Sequence, residues 1–247
     1  MIPALETLIA QSSNIVFFGG AGVSTESGIP DFRSVDGLYH QKFAYPPEEM
    51  LSHTFFVRHT ADFYDFYRQK LIVHGAKPNA AHLRLARLER EGKCKAVVTQ
   101  NIDGLHQAAG SRCVYELHGS TLRNFCTKCG KFYPVEFIEA AAGQGDGVPR
   151  CTACHGIVKP DVVLYEEGLD EATMDAAIRA IRAADLLIVG GTSLAVYPAA
   201  GLLRYFRGAA LVVINKQPTP ADAMASLVLN QPIGQALDDG LGEDAPL

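Results

Sequence analysis

The chain has 247 residues, 48% of them hydrophobic and 20% charged, and its 22 basic and 27 acidic residues leave a net charge of −5. That balance excludes general disorder, and the length suits one large globular domain with room for a smaller insertion. The mild acidity argues against direct binding of nucleic acid through bulk charge.

The first six residues lack the basic and apolar regions of a secretory leader, and no apolar run approaches the roughly 18 residues of a membrane span. A cytoplasmic protein without membrane contact is therefore expected. Six cysteines occur, four of them in two C-x-x-C pairs. Without a leader, that spacing points to a metal rather than to disulfides.

The first informative element is the buried-strand run Ile15-Val16-Phe17-Phe18-Gly19, which leads into G-A-G-V-S-T-E-S-G-I-P-D-F-R at 20–33. A strand that runs into glycines and hydroxyls brings backbone N–H groups to a dinucleotide pyrophosphate. Gly20 and Gly22 supply the first two glycines of such a turn, but the third falls at Thr25. Ser27-Gly28-Ile29-Pro30 then interrupts any long helix. The segment reads as a dinucleotide site whose loop serves chemistry other than hydride transfer.

Residues 36–75 carry Phe55, Phe56, Phe63, Tyr64, Phe66 and Tyr67 at roughly helical spacing, with no strand pattern. Asn79 can cap a helix through Glu91 that Gly92 stops, with Leu85 and Leu88 on its apolar side. The strand 96–98 ends in T-Q-N-I-D-G-L-H at 99–106. Polar residues at a strand's carboxyl end face the ligand crevice of an α/β sheet, and Asn101 can both donate to and accept from an amide such as that of nicotinamide. Asp103 can accept from the same amide, although Asn or Asp here also suits an ordinary helix cap.

Val114-Tyr115-Glu116-Leu117-His118-Gly119 reads as a strand ending in an exposed histidine, able to titrate near neutrality and take a proton from a ribose hydroxyl. His40, His53 and His82 lack that context and default to surface or packing roles.

Cys126-x-x-Cys129 and Cys151-x-x-Cys154 are separated by 21 residues. Four thiolates at about 2.3 Å close a tetrahedron and leave no position for water, so the expected zinc is structural. Cys94 and Cys113 read as plain buried thiols.

Further runs of parallel-strand type lie at 162–164, 186–189 and 211–214, with a helix capped by Asp170 that places Met174, Ile178 and Ile181 on one side. The run at 186–189 leads into Gly191, Thr192 and Ser193 and then a helix near Pro198, while the run at 211–214 ends at Asn215. These small, hydroxylic and amide residues suit phosphate or ribose contact. The tail 238–247 is expected to fray.

Strands alternating with helices imply an α/β fold: a Rossmann-like, doubly wound parallel sheet. A small domain made of the helical insertion and the four-cysteine zinc module sits beside it. The expected division is one catalytic domain over 1–247, with a large part at about 1–35, 76–120 and 159–247 and a small part at about 36–75 and 121–158.

The motifs at 20–33 and 99–106, L-H-G at 117–119, the four cysteines and G-T-S-L-A-V-Y-P-A-A at 191–200 are together similar to the sirtuin family of NAD-dependent protein lysine deacylases. The resemblance extends from about residue 5 to residue 237. It implies removal of acetyl groups from protein lysines with NAD as cosubstrate, giving nicotinamide, deacetylated lysine and O-acetyl-ADP-ribose. Gly20, Ala21, Gly22, Ser24, Thr25, Asp31, Phe32 and Arg33 would form the cofactor loop. Gln100, Asn101, Ile102 and Asp103 would line the nicotinamide and ribose pocket, and Gly191, Thr192, Ser193 and Asn215 would hold the adenosine side. His118 would be the general base, with Phe32 shielding the reacting centre. Val163 and Leu164 would border the acyl-lysine tunnel and pair with substrate in strand fashion, with Tyr64 and Tyr67 in the acyl pocket. The partners would be acetylated proteins or peptides, and the enzyme a monomer.

Two departures from the family matter. Sirtuins that prefer acidic acyl groups carry Tyr-x-x-Arg in the helical insertion, whereas here Phe63-Tyr64-Asp65-Phe66-Tyr67-Arg68 puts arginine one position later. On a helix that turns the guanidinium by about 100° and favours an uncharged acyl group. Tyr165-Glu166-Glu167-Gly168 stands where many relatives read Phe-Gly-Glu, and Glu166 could favour basic residues beside the target lysine. The alternatives are a deacylase for longer or acidic acyl groups, a protein ADP-ribosyltransferase and a non-catalytic NAD-binding scaffold. A dehydrogenase fits poorly, since Glu48 and Glu49 lie too far from the glycines to bind ribose.

Overall fold

The strand β1 (Ile15–Gly19) shows why the chain is layered as it is. Every residue in it is buried. Ile15 and Phe17 pack into one hydrophobic layer, and Val16 and Phe18 into another. Side chains alternate faces along a strand, so a strand that is apolar throughout needs cover on both sides. The structure, a computed structural model, describes residues 2–31 and 45–241.

α1 (Pro3–Gln11) precedes β1, and α2 (Pro47–Met50), α3 (His53–Arg58), α4 (Thr60–Lys70) and α5 (Ala80–Arg90) follow it. The chain continues through β2 (Cys94–Thr99), α6 (Leu105–Ala108), β3 (Val114–Glu116), β4 (Gly119–Cys126) and β5 (Phe132–Pro134). Next come α7 (Val135–Ala140), β6 (Val158–Val162), α8 (Glu171–Ala183), β7 (Leu186–Gly190) and β8 (Ala210–Ile214), and the last elements are β9 (Leu227–Leu229) and α9 (Ile233–Leu237).

Six strands form one parallel sheet in the order β3-β2-β1-β7-β8-β9. The chain winds outward from β1 in one direction and from β7 in the other. Gly19 and Gly190 are paired where the two central strands meet. This is the switch point of a doubly wound sheet, where the carboxyl ends of the strands leave a crevice.

The caps read from the sequence are present. The Asn79 side chain accepts from Ala81 N–H at 3.0 Å, and Asp170 Oδ1 accepts from Thr173 N–H at 2.7 Å. Gly92, at φ 74°, lets the chain leave α5.

A second, antiparallel sheet has the order β5-β4-β6. It shares a core with the helical insertion: Phe55, Phe56, Phe63, Tyr64 and Tyr67 pack in one cluster with Tyr133, Ile138, Val158 and Cys151.

The structure corrects three sequence readings. The run at 162–164 is not a strand of the parallel sheet; β6 ends at Val162 and pairs antiparallel with β4. A short apolar run does not announce its sheet, and Lys159-Pro160-Asp161 inside β6 masked its true extent. The helix near Pro198 is a 3-10 run, Ala199–Tyr205. Beyond the runs read from the sequence, the short strand β9 adds an edge to the parallel sheet. The tail does not fray at its start: Asp239, its side chain 4% exposed, pairs with Arg84 and Arg87 of α5, and Arg84 also pairs with Glu6 at 2.8 Å. Residues 242–247 lie outside the described residues.

Candidate active site

The strand ends of β1 and β7 approach so closely that only glycine fits between them. A Cβ on Gly22 would lie 2.8 Å from Gly191 Cα, and one on Gly191 would lie 2.3 Å from Val23 N. Gly191 also has φ +58°, a conformation that side chains disfavour. Gly22 N–H donates to Gly191 O at 2.8 Å, locking the two turns together. The turns open onto a cavity of about 470 Å³.

Gly20, Ala21, Gly22, Ser24, Thr25 and Asp31 line one wall of this cavity, Gln100, Asn101, Ile102 and Asp103 a second, and Gly191, Thr192, Ser193 and Asn215 a third. The structure thus brings together all the expected cofactor residues it describes. Phe32 and Arg33, also expected in the cofactor loop, lie outside the described residues.

The walls are tied to one another. Ser24 Oγ donates to Asp103 Oδ2 at 2.6 Å and accepts from Asn101 Nδ2 at 3.1 Å. Asp103 Oδ1 accepts from Leu105 N–H at 2.9 Å, so one carboxylate both holds the first N–H of α6 and reaches the glycine loop. Gln100 Nε2 donates to Thr192 Oγ1 at 3.2 Å, joining the loop after β2 to the loop after β7. Asn101 is buried and a β2 hydroxyl fixes its backbone, with Asn101 N–H donating to Thr99 Oγ1 at 3.0 Å.

His118 lines the same cavity just past β3. It is half-buried rather than exposed as the sequence suggested. Its Nδ1 lies 3.0 Å from the Gln100 carbonyl oxygen, which can only accept; Nδ1 therefore carries the proton and Nε2 the lone pair. Burial lowers its pKa below the ordinary 6.5, against a smaller opposing effect of that bond. At neutral pH the imidazole is a free base. The following Gly119 is required, since at φ +76° a Cβ would sit 1.9 Å from Asp161 O.

Val163 and Leu164 line the cavity. Tyr64 and Tyr67 do not line it: both are fully buried in the small core, where the Tyr64 hydroxyl donates to Val158 O. Burial raises both phenol pKa values, so both stay protonated. The Arg68 guanidinium donates to Gly147 O at 2.9 Å and to Asp65 Oδ1 at 3.0 Å, which anchors it to the zinc module. Glu166 Oε2 accepts from Thr54 N–H at 2.8 Å and from Thr54 Oγ1 at 2.7 Å, which ties the carboxylate to the start of α3.

The ligand atoms of Cys126, Cys129, Cys151 and Cys154 all lie within 4.8 Å of one another. Two of the sulfur separations are 3.4 and 3.6 Å, close to the edge of a tetrahedron with bonds of about 2.3 Å. All four positions are filled by thiols, so this donor set fits a closed structural zinc. The Tyr133 hydroxyl donates to Cys151 Sγ at 3.2 Å, an outer-shell bond that orients the sulfur.

Several cavity residues escaped the sequence reading. Lys216, Gln217, Gln231, Pro232 and Ile233 extend the wall beyond Asn215, and Ile29 and Pro30 extend the glycine loop. Lys216 and Gln217 directly follow a strand end already singled out, so that signal could have been carried further. Residues 231–233 belong to no motif and reach the cavity only because β9 leads into α9 beside it.

Behind Asp103, His82 and His106 are buried with ring centroids 4.7 Å apart. His82 Nδ1 accepts from Asn79 N–H at 3.2 Å and completes the cap of α5.

A family model described as Sir2 matches residues 20–198. A protein of Clostridium acetobutylicum called NAD-dependent protein deacetylase is 60% identical over 96% of each chain. One of the same description from Cutibacterium acnes is 56% identical over 93% of each. Among solved structures, "Sir2-p53 peptide-NAD+" superposes with a TM-score of 0.86 at 39% identity, covering 96% of this chain and 95% of that one. A Sir2 complex with the inhibitor EX-527, 2′-O-acetyl-ADP-ribose and deacetylated p53 peptide gives 0.83 at 37% identity, covering 96% of each.

Proposed function

This chain belongs to the Sir2 family, and on that premise we propose that it is an NAD-dependent protein-lysine deacetylase. The observation that carries this reading is the convergence on one cavity of a neutral histidine, a buried asparagine tied through a serine to an aspartate, and a glycine-only crossing of two strand ends. Bound NAD supplies a ribosyl carbon whose bond to nicotinamide can be exchanged for one to the acyl oxygen of the modified lysine.

The remaining work falls to side chains of this protein. Asn101 and Asp103 present an amide and a carboxylate to the nicotinamide carboxamide and hold it in a reactive pose, a positioning effect. Ser24 keeps the two in register. His118 Nε2 takes the proton of a ribose hydroxyl, which its lowered pKa permits at neutral pH. Thr192, Ser193 and Asn215 hold the adenosine half, and Val163 and Leu164 flank the acyl-lysine.

The acyl group is acetyl rather than a dicarboxylic acyl. Arg68, the arginine nearest in sequence to the expected acyl pocket, is committed to Gly147 and Asp65. Zinc held by the four cysteines keeps the small part folded and takes no part in the reaction.

The working unit is a monomer of two parts, the small one made of the helical insertion and the antiparallel sheet β5-β4-β6 with the zinc module; a core that joins the insertion to that sheet, and reaches Val162 and Leu164, supports the division into parts. Its partners are acetylated proteins, and its place is the cytoplasm. Among the described residues no helix is long and apolar enough to cross a membrane.

The test is nicotinamide release from NAD by the zinc-loaded protein, with and without an acetyl-lysine peptide. Release that depends on the peptide, with O-acetyl-ADP-ribose formed in equal amount, is expected. Turnover of a succinyl peptide alone would reject the acetyl assignment, and label from NAD appearing on protein would favour ADP-ribose transfer.

A further inference from the structure

β6 ends at Val162, yet the next residues are held as firmly as a strand. Val163 N–H donates to the His118 carbonyl oxygen at 3.0 Å. Leu164 N–H has a side-chain acceptor instead of a strand partner, Glu167 Oε2 at 2.9 Å. The same oxygen accepts from Lys159 Nζ at 3.0 Å, and Lys159 in turn donates to Val162 O at 2.9 Å. Glu167 Oε1 lies 2.9 Å from His53 Nδ1 at the start of α3. A single carboxylate therefore joins the expected acyl-lysine border, the end of β6 and the helical insertion.

The Glu167 and Lys159 side chains are only 21% and 20% exposed, so water screens this pair less than a surface pair. Burial pushes the Glu167 carboxyl up, but the bonds from His53, Leu164 and Lys159 outweigh it and hold it below the usual carboxylate range. The neighbouring Glu166, at φ +75°, directs its carboxylate to Thr54 instead. The two adjacent carboxylates thus have separate tasks.

We propose that Glu167 is a positioning residue for the acylated peptide, holding Leu164 and, through the bond from Val163 to the His118 carbonyl, keeping the substrate border in register with the base. This rests on the deacetylase reading above. Glu167 acts through the backbone it fixes, so its removal should weaken acyl-peptide binding and leave the NAD walls intact.

The experiment compares the zinc-loaded enzyme with Glu167→Ala and Glu167→Gln. It measures KM for an acetyl-lysine peptide and for NAD, anisotropy of the fluorescein-labelled peptide, Tm, and hydrogen exchange at Leu164. For Glu167→Ala we expect peptide KM and Kd to rise about tenfold, as for loss of a hydrogen bond to a charged group. NAD KM should stay within about twofold, and exchange at Leu164 should quicken. Glu167→Gln keeps an acceptor for Leu164 N–H but loses the charge facing Lys159, so it should fall between, at about threefold. Unchanged peptide binding in both variants would overturn the proposal while leaving the deacetylase reading in place. So would a loss of NAD affinity and Tm in step with peptide affinity, which marks general loosening. Failure of the unaltered enzyme to bind the peptide would overturn the deacetylase reading and the proposal with it.

Discussion

The two sides of the cavity are built by different means. On the side proposed to hold NAD, backbone meets backbone: Gly22 against Gly191, with side-chain bonds such as Ser24 to Asp103 spanning neighbouring loops. On the side proposed to hold the peptide, side chains from separate segments hold an irregular stretch, with Glu166 on Thr54 and Glu167 on Leu164, Lys159 and His53. Backbone contact leaves no room for adjustment, whereas side-chain latches loosen by degrees. Damage to the first side should be abrupt, and damage to the second graded.

Removing zinc should have the largest effect. Structural zinc in small modules contributes on the order of 10 kcal/mol of apparent folding free energy, and the small core here includes Cys126 and Cys151. A strong chelator, or Cys129→Ala, should therefore abolish peptide binding. ADP-ribose affinity, which depends on the parallel sheet, should survive longer. Calorimetric titration with each ligand during chelation checks this, and equal loss of both would erase the distinction between the two sides.

His118→Ala should lower kcat by about 10² to 10⁴, the usual worth of a general base, with peptide affinity within about threefold. In the unaltered enzyme the acid limb of kcat/KM, which reports the free enzyme, should fall below the ordinary histidine value of 6.5, because burial lowers the pKa of His118 and the neutral form is the active one. A limb centred above 6.5 would point to another base.

Gly191→Ala should raise the Kd for ADP-ribose by about a hundredfold, since it combines a backbone clash with an unfavourable φ, each worth of order 1–3 kcal/mol. Gly168→Ala, on the peptide side with nothing within 4 Å of the added methyl, should change it less than twofold. A mild effect at Gly191 would mean that the strand ends can part.

A pH-dependent effect on stability lies beneath both sides. Burial lowers the pKa of His82 to about 4, and that of His106 well below 6.5. On unfolding each regains an ordinary value near 6.5, so the unfolded chain takes up protons first as pH falls. Stability is full above 6.5 and declines between 6.5 and about 4, by on the order of 3 kcal/mol for His82 alone. Urea midpoints at pH 7.5 and 5 should show the decline, and His82→Gln should flatten it.

The same contrast explains what could be read in advance. The residues expected to hold the cofactor sit at the ends of β1, β2, β7 and β8, so contiguous motifs pointed to the cavity they line, and local turn chemistry marked the caps of α5 and α8. The peptide side was less legible. Nothing in Lys159-Pro160-Asp161 shows that β6 belongs to the small sheet, and no spacing links Glu167 to His53. The match to the Tyr-x-x-Arg place of relatives puts Tyr64 and Tyr67 in the acyl pocket, but a matching place in a helix cannot separate a pocket wall from the core in which both are buried. The burial of His82 and His106 came from packing against Phe17 and each other, contacts distant in the chain.

The core shared by the helical insertion and the zinc module bears on any attempt to re-engineer acyl choice. Phe63, Tyr64 and Tyr67 sit against Val158, Ile138 and Tyr133, and Arg68 reaches Gly147. A helix borrowed from a relative with a different acyl range would arrive without its counterpart surface. The transplantable cassette is therefore discontinuous, spanning roughly 50–72 together with 126–158, and a graft of either piece alone should yield a poorly packed hybrid whose altered selectivity reports misfit rather than recognition.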